Sequence, residues 1–217
     1  MSYDLGVAYR AARERITTLV GSADAGVHDA TRVPATPAWT VHDVLAHVSG
    51  VAADAATGNM AGAPGDEWTA AQVQRGRALP MATLLAQWAE HAPVLEGLLS
   101  SPNGGAASAA VIDIHSHEAD LRHALGLAAQ LPHEFLAWVG PAMRGRFAGQ
   151  VAEAGLPAVE VAADDFEWFR ASLGRRTVDE VCAYGWSSDG APVDPAPYLD
   201  CFFIFGRAQA PLGECRQ

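Results

Sequence analysis

One stretch of this sequence, residues 111–126 (VIDIHSHEADLRHALG), combines the apolar spacing of a buried helix with many side chains that bind metals or transfer protons. Residues four apart lie above one another on the same helix face, so Asp113 and His117 point in the same direction. Ile114 and Leu121 mark that face as directed toward the core. The spacing therefore predicts a helix that carries a carboxylate and an imidazole into the interior, where they need a third partner such as a metal ion or a hydrogen-bonded proton.

Several other segments have the apolar periodicity of long helices, and short loops join them. These helices are predicted to end near residue 21 and to cover residues 41–57, 81–99 and 133–154. Ser2 is a candidate N-cap of the first, Thr40 and Asp43 form a capping box that opens the second, and Pro93 is expected to kink or restart the third. A further capping box at residues 69–72 predicts a short helix after it. Helices joined by short loops predict a bundle.

The pattern changes at residue 157. Val159 and Val161 alternate as in a short strand, and the apolar run at residues 201–205 is a second candidate strand. We therefore predict a mainly α chain in two parts. The first is a helical bundle over residues 1–155, and the second is a small α+β domain over residues 157–217.

The composition limits the possible partners and compartment. Half of the residues are hydrophobic and 18% are charged, which is typical of a globular chain. The formal net charge of −11, without a basic stripe, argues against nucleic acid and anionic membranes as partners. Cys182, Cys201 and Cys215 form neither a disulfide framework nor a CxxC site, and charges interrupt the apolar N-terminal segment. We expect a cytoplasmic monomer or homodimer.

His47 is the candidate third partner for the carboxylate and imidazole. It follows Val44 by three residues and precedes Val51 by four, so it lies on the core-facing edge of its helix. Together with Asp113 and His117 it would form a set of two histidines and one carboxylate, which holds a divalent ion and leaves positions open. The spacing alone leaves another reading open, in which the histidines are buried core groups that only make hydrogen bonds.

Two motifs give this pattern a family resemblance. Residues 36–47 (TPAWTVHDVLAH) are similar to the tryptophan-containing segment of the mycothiol-dependent maleylpyruvate isomerase family, which ends in a ligand histidine. That family belongs to the DinB-like metalloenzyme superfamily. Residues 113–126 resemble its second motif, an acidic residue followed by a histidine and then Asp-Leu and Ala-Leu-Gly. Residues 166–170 (FEWFR) and 174–176 (GRR) resemble the appended domain of many actinobacterial members.

The resemblance implies a DinB-like four-helix bundle with a metal site, and mycothiol as cosubstrate. The implied ligands of the ion, expected to be zinc, are His47, Asp113 and His117. The implied candidates for holding an acid substrate are Arg170, Arg175 and Arg176. Asp120 and Arg122 are expected to orient ligands or to tie helices together. The chain departs from the pattern at Asp113, where the isomerases are expected to have glutamate, so an ion would lie closer to that helix or be held through water.

The implied activity is that of an isomerase or S-transferase in which a thiolate attacks a small electrophilic, unsaturated substrate. Three alternatives remain open at this point. Two histidines and one carboxylate also describe non-haem iron oxygenases, although these usually have β-barrel folds. A metal-free member would bind or transform a small molecule through His47 and Asp113. A non-catalytic binding or stress-response module would use His47 and His117 only as buried structural groups.

Overall fold

The structure is a computed structural model that describes residues 3–21 and 25–216, so the candidate cap Ser2 lies outside the described residues. The chain is mainly helical with small antiparallel sheets, which confirms the predicted fold class. It forms two compact units, Met1–Gln130 with Cys215–Gln217 and Leu131–Glu214. In the described part of the chain, no helix has both the length and the hydropathy needed to cross a membrane.

The first unit is a four-helix bundle with short additional elements. Its helices are α1 (Leu5–Gly21), α2 (Ala25–Ala30), α3 (Val41–Thr57), α4 (Asp66–Gly76), α5 (Met81–Leu99) and α6 (Ala109–Ala124). Strands β1 (Arg32–Val33) and β2 (Thr36–Thr40) form an antiparallel pair before α3. In the bundle, α1 and α3 each contact both α5 and α6, while α4 packs along α3.

Buried ion pairs connect α1 to its two neighbours in the bundle. Glu96 of α5 is 3% exposed and accepts from Arg10 at 2.7 Å and from Arg13 at 3.0 Å. Glu118 of α6 is 1% exposed and accepts from Arg15 at 2.7 Å. A buried carboxylate without such a partner is strongly destabilising, so these contacts favour the packing of α1 against α5 and α6.

Local signals define both ends of α3. The Thr40 side chain accepts from the backbone N–H of Asp43, and the Asp43 carboxylate accepts from the backbone N–H of Thr40, which confirms the predicted capping box. The helix ends at Gly58, whose φ of 75° is readily adopted only by a residue without a β-carbon. Both limits of this helix were therefore predictable from the sequence.

Two expectations about other elements need correction, and of the two alternatives at Pro93 the restart is ruled out. Residues 69–72 lie inside α4 and do not cap a later helix, because α4 already begins at Asp66. Helix α5 continues through Pro93 without a restart. Residues 201–205 are not a strand, because α10 (Leu199–Phe202) occupies the start of this run. A short apolar run that is buried on several sides has no periodicity that separates a strand from a helical turn.

The second unit combines helices with a small sheet. Its other helices are α7 (His133–Glu153), α8 (Asp165–Ser172) and α9 (Val178–Cys182). Its strands β3 (Glu160–Ala162), β4 (Gly185–Ser188) and β5 (Ala191–Pro192) form an antiparallel sheet in that order. Helix α7 packs against α8 and α10, so it belongs to this unit by its contacts. The domain limits at residues 155 and 157 stay a prediction.

Aromatic packing forms the core of the second unit. The ring of Phe202 stacks on Trp168 with centroids 4.7 Å apart and meets Phe147 at 5.7 Å. Trp186 of β4 contacts Phe202 at 5.8 Å. These offset and edge-on arrangements add to the energy of burial.

A buried charge cluster lies beside this core. Arg170 is fully buried and pairs with Glu214. Arg176 donates to Glu214 at 2.7 Å and to Glu167 at 2.8 Å. Burial alone lowers the pKa of Arg176, but its bonds to these two carboxylates raise it above its usual range. The cluster thus attaches residue 214, near the C-terminus, to α8 and the segment after it.

We expect Glu214→Ala to lower the free energy of unfolding of the second unit by roughly 3–5 kcal/mol, because the buried Arg170 and Arg176 both lose a carboxylate that compensates their charge. Asp200→Ala is the control. It removes a pair with Arg207 in which Asp200 is 95% exposed, and should cost about 1 kcal/mol or less. Urea unfolding followed by the indole NMR signals of Trp168 and Trp186 measures both. Equal losses in the two variants would contradict a structural role of the buried cluster.

Candidate metal centre

Helices α3 and α6 bring His47, Asp113 and His117 together. Each side chain offers one ligand atom, and these atoms all lie within 4.8 Å of one another. Nε2 of His47 lies 3.2 Å from Oδ2 of Asp113, and Nε2 of His117 lies 3.5 Å from Oδ1 of the same carboxylate. The ring centroids of the two histidines are 5.1 Å apart. The i, i+4 spacing in α6 therefore places Asp113 and His117 on the same face of the helix, as the sequence predicts.

The outer nitrogen of His47 binds an amide. Nδ1 of His47 lies 2.8 Å from Oε1 of Gln72 in α4, and Nε2 of Gln72 donates to Asp54 at 2.9 Å. Because a carboxylate only accepts, the bond to Asp54 fixes which end of the amide is the nitrogen. The amide oxygen then accepts a proton from Nδ1 of His47. Nε2 remains as the nitrogen that faces Asp113 and is available to a metal ion.

The outer nitrogen of His117 binds a carboxylate directly. Nδ1 of His117 lies 3.2 Å from Oδ2 of the fully buried Asp120. Asp120 therefore orients His117 by direct contact. Arg122 donates to Glu118 at 3.3 Å, beside the contact of Glu118 with Arg15 of α1. Arg122 thus supports the ion pair that connects α1 and α6.

The electrostatics of the cluster favour positive charge at the imidazole of His117. Burial alone raises the pKa of the Asp113 carboxyl, but the charges of His47 and His117 outweigh it and hold that pKa below its usual range. Burial lowers the pKa of His117, whereas Asp113 and Asp120 raise it to about 9. Burial, with a contribution from Asp113, raises the pKa of the nearby Tyr9 hydroxyl above its usual range. A proton or a metal cation both satisfy such a site.

Trp39 forms one wall of the cluster. Its ring centroid, from β2, lies 5.4 Å from that of His47 and 6.0 Å from that of His117. Both histidines are buried, whereas the Asp113 side chain keeps 35% of its surface exposed. Asp113 is therefore the member of the cluster that is accessible to solvent.

The donor set fits a divalent cation of the zinc type. Two imidazole nitrogens and one carboxylate oxygen are three of the ligands that such ions take, and they would leave a further position for water or substrate. Each imidazole has a hydrogen-bond partner at its other nitrogen, Gln72 for His47 and Asp120 for His117. Such outer partners are the rule for metal-binding histidines, because they fix the tautomer and the ring orientation. The role of His47, Asp113 and His117 as metal ligands stays a prediction.

Comparison with known families gives one match, the mycothiol maleylpyruvate isomerase N-terminal domain, over residues 9–112. Residues 9–112, in the N-terminal helical unit, thus match the N-terminal domain of this family. The family expectation from the sequence motifs is thereby confirmed. No curated protein and no solved structure matches the chain significantly. The isomerase-family match contains His47, whereas Asp113 and His117 follow directly after its end.

The three candidate arginines lie in the second unit. Arg170 and Arg176 belong to the buried cluster with Glu214, and Arg175 is partly buried and donates from Nη1 to the carbonyl of Leu173 at 2.6 Å. Their role in binding substrate stays a prediction.

Sequence reasoning missed Gln72 and Asp54, the groups behind His47. The sequence pattern places Gln72 in a capping box, and Asp54 has no motif spacing to either histidine. One signal was available, because Val73 is apolar, so that Gln72 lies next to the buried face of α4 once the helix starts at Asp66.

Replacing Asp113 tests its role as a ligand. Asp113→Asn keeps the size of the side chain but removes its charge, and we expect zinc binding to weaken by more than the roughly 10- to 100-fold loss typical of changes in outer partners. Asp113→Glu keeps the charge and should retain zinc binding. Zinc titration against a competing chelator measures both, with the exposed Asp200→Asn as control. Equal zinc affinities for the Asn and Glu variants would reject the ligand role.

Proposed function

We propose that this protein is a metal-dependent enzyme that uses mycothiol, as an isomerase or an S-transferase, on a small electrophilic substrate with an activated double bond. The observation that carries the proposal is the convergence of His47, Asp113 and His117. It occurs in a chain whose residues 9–112 match the mycothiol maleylpyruvate isomerase N-terminal domain. The family supports the thiol and the substrate class, and the donor set supports a metal. Zinc is the ion we expect.

The side chains of the site bind, orient and shield. A divalent ion held by the three donors would favour the thiolate over the thiol at neutral pH. Gln72 and Asp120 hold the Nδ1 protons of His47 and His117, so that both Nε2 atoms face the ligand position. Trp39 lies against both rings and limits the access of water on that side.

The proposed reaction needs no oxidant or reductant. The thiolate sulfur forms a C–S bond at one carbon of the double bond, and the displaced electron pair moves onto the conjugated carbonyl oxygen. After rotation about the resulting single bond, the electron pair returns and the thiolate leaves, which gives the geometric isomer. In an S-transferase, a proton from solvent instead converts the adduct into a stable thioether.

Metal and thiol dependence test this function together. With maleylpyruvate as the probe substrate, we expect turnover only when both zinc and mycothiol are present, because the thiolate needs the positive charge of the ion. Chelation, or replacement of mycothiol by free cysteine, should abolish the reaction. Zinc content, product and remaining thiol are measured in the same samples. A catalytic thiol indicates an isomerase, and a consumed thiol indicates a transferase.

Two results would contradict the proposal. A chain that stays free of metal after incubation with zinc, nickel, manganese or iron salts has no metal-dependent function. Turnover of the probe without thiol favours the reading in which His47 and Asp113 act as acid and base in a metal-free site.

Arg170, Arg175 and Arg176 are proposed to bind a carboxylate of the substrate. At Arg170 and Arg176 the substrate has to compete with Glu214, which pairs with both. Arg175 is only partly buried, whereas Arg170 and Arg176 are buried, so Arg175 is the most accessible of the three to test.

Arg175→Lys keeps the positive charge but removes the planar fork that binds a carboxylate through two hydrogen bonds. We expect KM for the acid substrate to rise by roughly 10- to 100-fold with little change in kcat, since a hydrogen bond to a charged group contributes about 1.5–3 kcal/mol. Arg207→Lys, an exposed arginine of the same unit, is the control. Steady-state kinetics decide the matter, and an unchanged KM removes Arg175 from the proposed site.

A further inference from the structure

Helices α3 and α4 approach each other through two glycines that flank the site. A β-carbon at Gly50 of α3 would lie 2.7 Å from Cβ of Gln72, which is closer than real contacts allow. A β-carbon at Gly76 of α4 would collide with Cβ of Ala46. Both positions therefore require glycine. The two contacts lie one residue before and three after His47, so they hold Gln72 of α4 directly against the His47 ring.

The polar groups at this crossing are buried and form a continuous chain of contacts. Gln72 is 1% exposed and connects Nδ1 of His47 to the carboxylate of Asp54, itself 4% exposed. Asp54 also accepts from Asn59 at 2.8 Å and from Arg75 at 2.7 Å. Arg75 is half exposed, so the chain of contacts runs from the solvent to the imidazole. It lines one wall of a cavity of about 410 Å³.

We propose that Gln72 and Asp54 are positioning residues that fix the tautomer and the orientation of His47 for metal binding. The inference rests on the proposed function, because it gives these groups a role toward the same ion. An amide suits the position between His47 and Asp54, since its oxygen accepts from the imidazole while its nitrogen donates to the carboxylate. Asp54 holds the amide in that orientation, and Arg75 compensates the buried charge of Asp54.

The two histidines thereby differ in how they are held. His117 contacts the carboxylate of Asp120 directly, whereas the nearest carboxylate behind His47 is separated from it by a neutral amide. The amide transmits orientation without placing a negative charge on the ring. We therefore expect the position of His47 to change when residue 72 loses the oxygen that accepts from His47. We expect the same when it loses the nitrogen that donates to Asp54.

The first test removes the acceptor. Gln72→Leu has similar volume but leaves His47 without its Nδ1 partner, and we expect zinc affinity to fall by roughly 10- to 100-fold. Gln87→Leu is the matched control. Gln87 belongs to α5 and lines the same cavity, so this substitution makes the same chemical change away from His47. Zinc affinity is measured by chelator competition. Equal affinity of the native chain and Gln72→Leu overturns the proposal.

A charge swap guards against the possibility that Gln72→Leu only disturbs packing. Gln72→Glu alone sets two carboxylates against each other, since the amide group that donates to Asp54 becomes an acceptor. In combination with Asp54→Asn, the carboxylate at position 72 again accepts from His47, and the amide at position 54 donates to that carboxylate. We expect the double variant to bind zinc within about threefold of the native chain and more tightly than either single variant, a coupling that independent sites do not show. A double variant no better than the worse single variant overturns the proposal.

A measurement without metal separates this inference from the proposed function. In the ¹⁵N spectrum of the metal-free chain, the Nδ1–H signal of His47 should be protected from exchange with water, and Gln72→Leu should remove that protection while Gln87→Leu does not. If the native chain binds no ion at all, the proposed function fails, and this spectrum alone then judges whether Gln72 positions His47. An unprotected Nδ1–H in the native chain overturns the inference whether or not zinc binds.

Discussion

The structure of the site depends on one constraint, namely that a buried imidazole has two nitrogens and each needs a polar partner. His47 and His117 meet it in the same way, with Nδ1 toward an outer partner and Nε2 toward Asp113. Because helices of the first unit supply all of these partners, the two rings are held at a defined distance and orientation. The cost of burying so many polar groups is thereby offset, and the donors are arranged before a ligand arrives.

The same constraint explains how the bundle is assembled around the site. Glu96 and Glu118 are buried carboxylates; Glu96 is paired with two arginines of α1 and Glu118 with one. Asp54 is buried on α3 and is paired with Arg75 of α4. In each case one helix contributes the acid and its neighbour the base, so a shift of one helix along another would leave charge buried without compensation. Charge pairing between neighbouring helices therefore restricts their register, which apolar packing alone leaves freer.

The sequence predicts the parts of this arrangement that depend on local chemistry. The capping box at Thr40, the end of α3 at Gly58 and the shared face of Asp113 and His117 all follow from spacing within a few residues. Contacts between helices are different, because nothing in the chain near Gln72 indicates that it meets His47, which lies 25 residues away. The same limit applies to residues 201–205, whose apolar run is compatible with a strand until the aromatic core around it is known.

Asp113 shows how local and distant effects combine in the site. Its side chain is one methylene shorter than the glutamate expected of the isomerases, yet its carboxylate lies 3.2 Å from Nε2 of His47 and 3.5 Å from Nε2 of His117. The shorter acid is therefore compatible with three converging donors, because the positions of the rings are set elsewhere. His117 is held by Asp120 on its own helix, whereas His47 is held by Gln72 across the α3–α4 crossing. The close approach of Gln72 to α3, which Gly50 permits, thus helps to place the His47 ring where the short side chain of Asp113 can reach it.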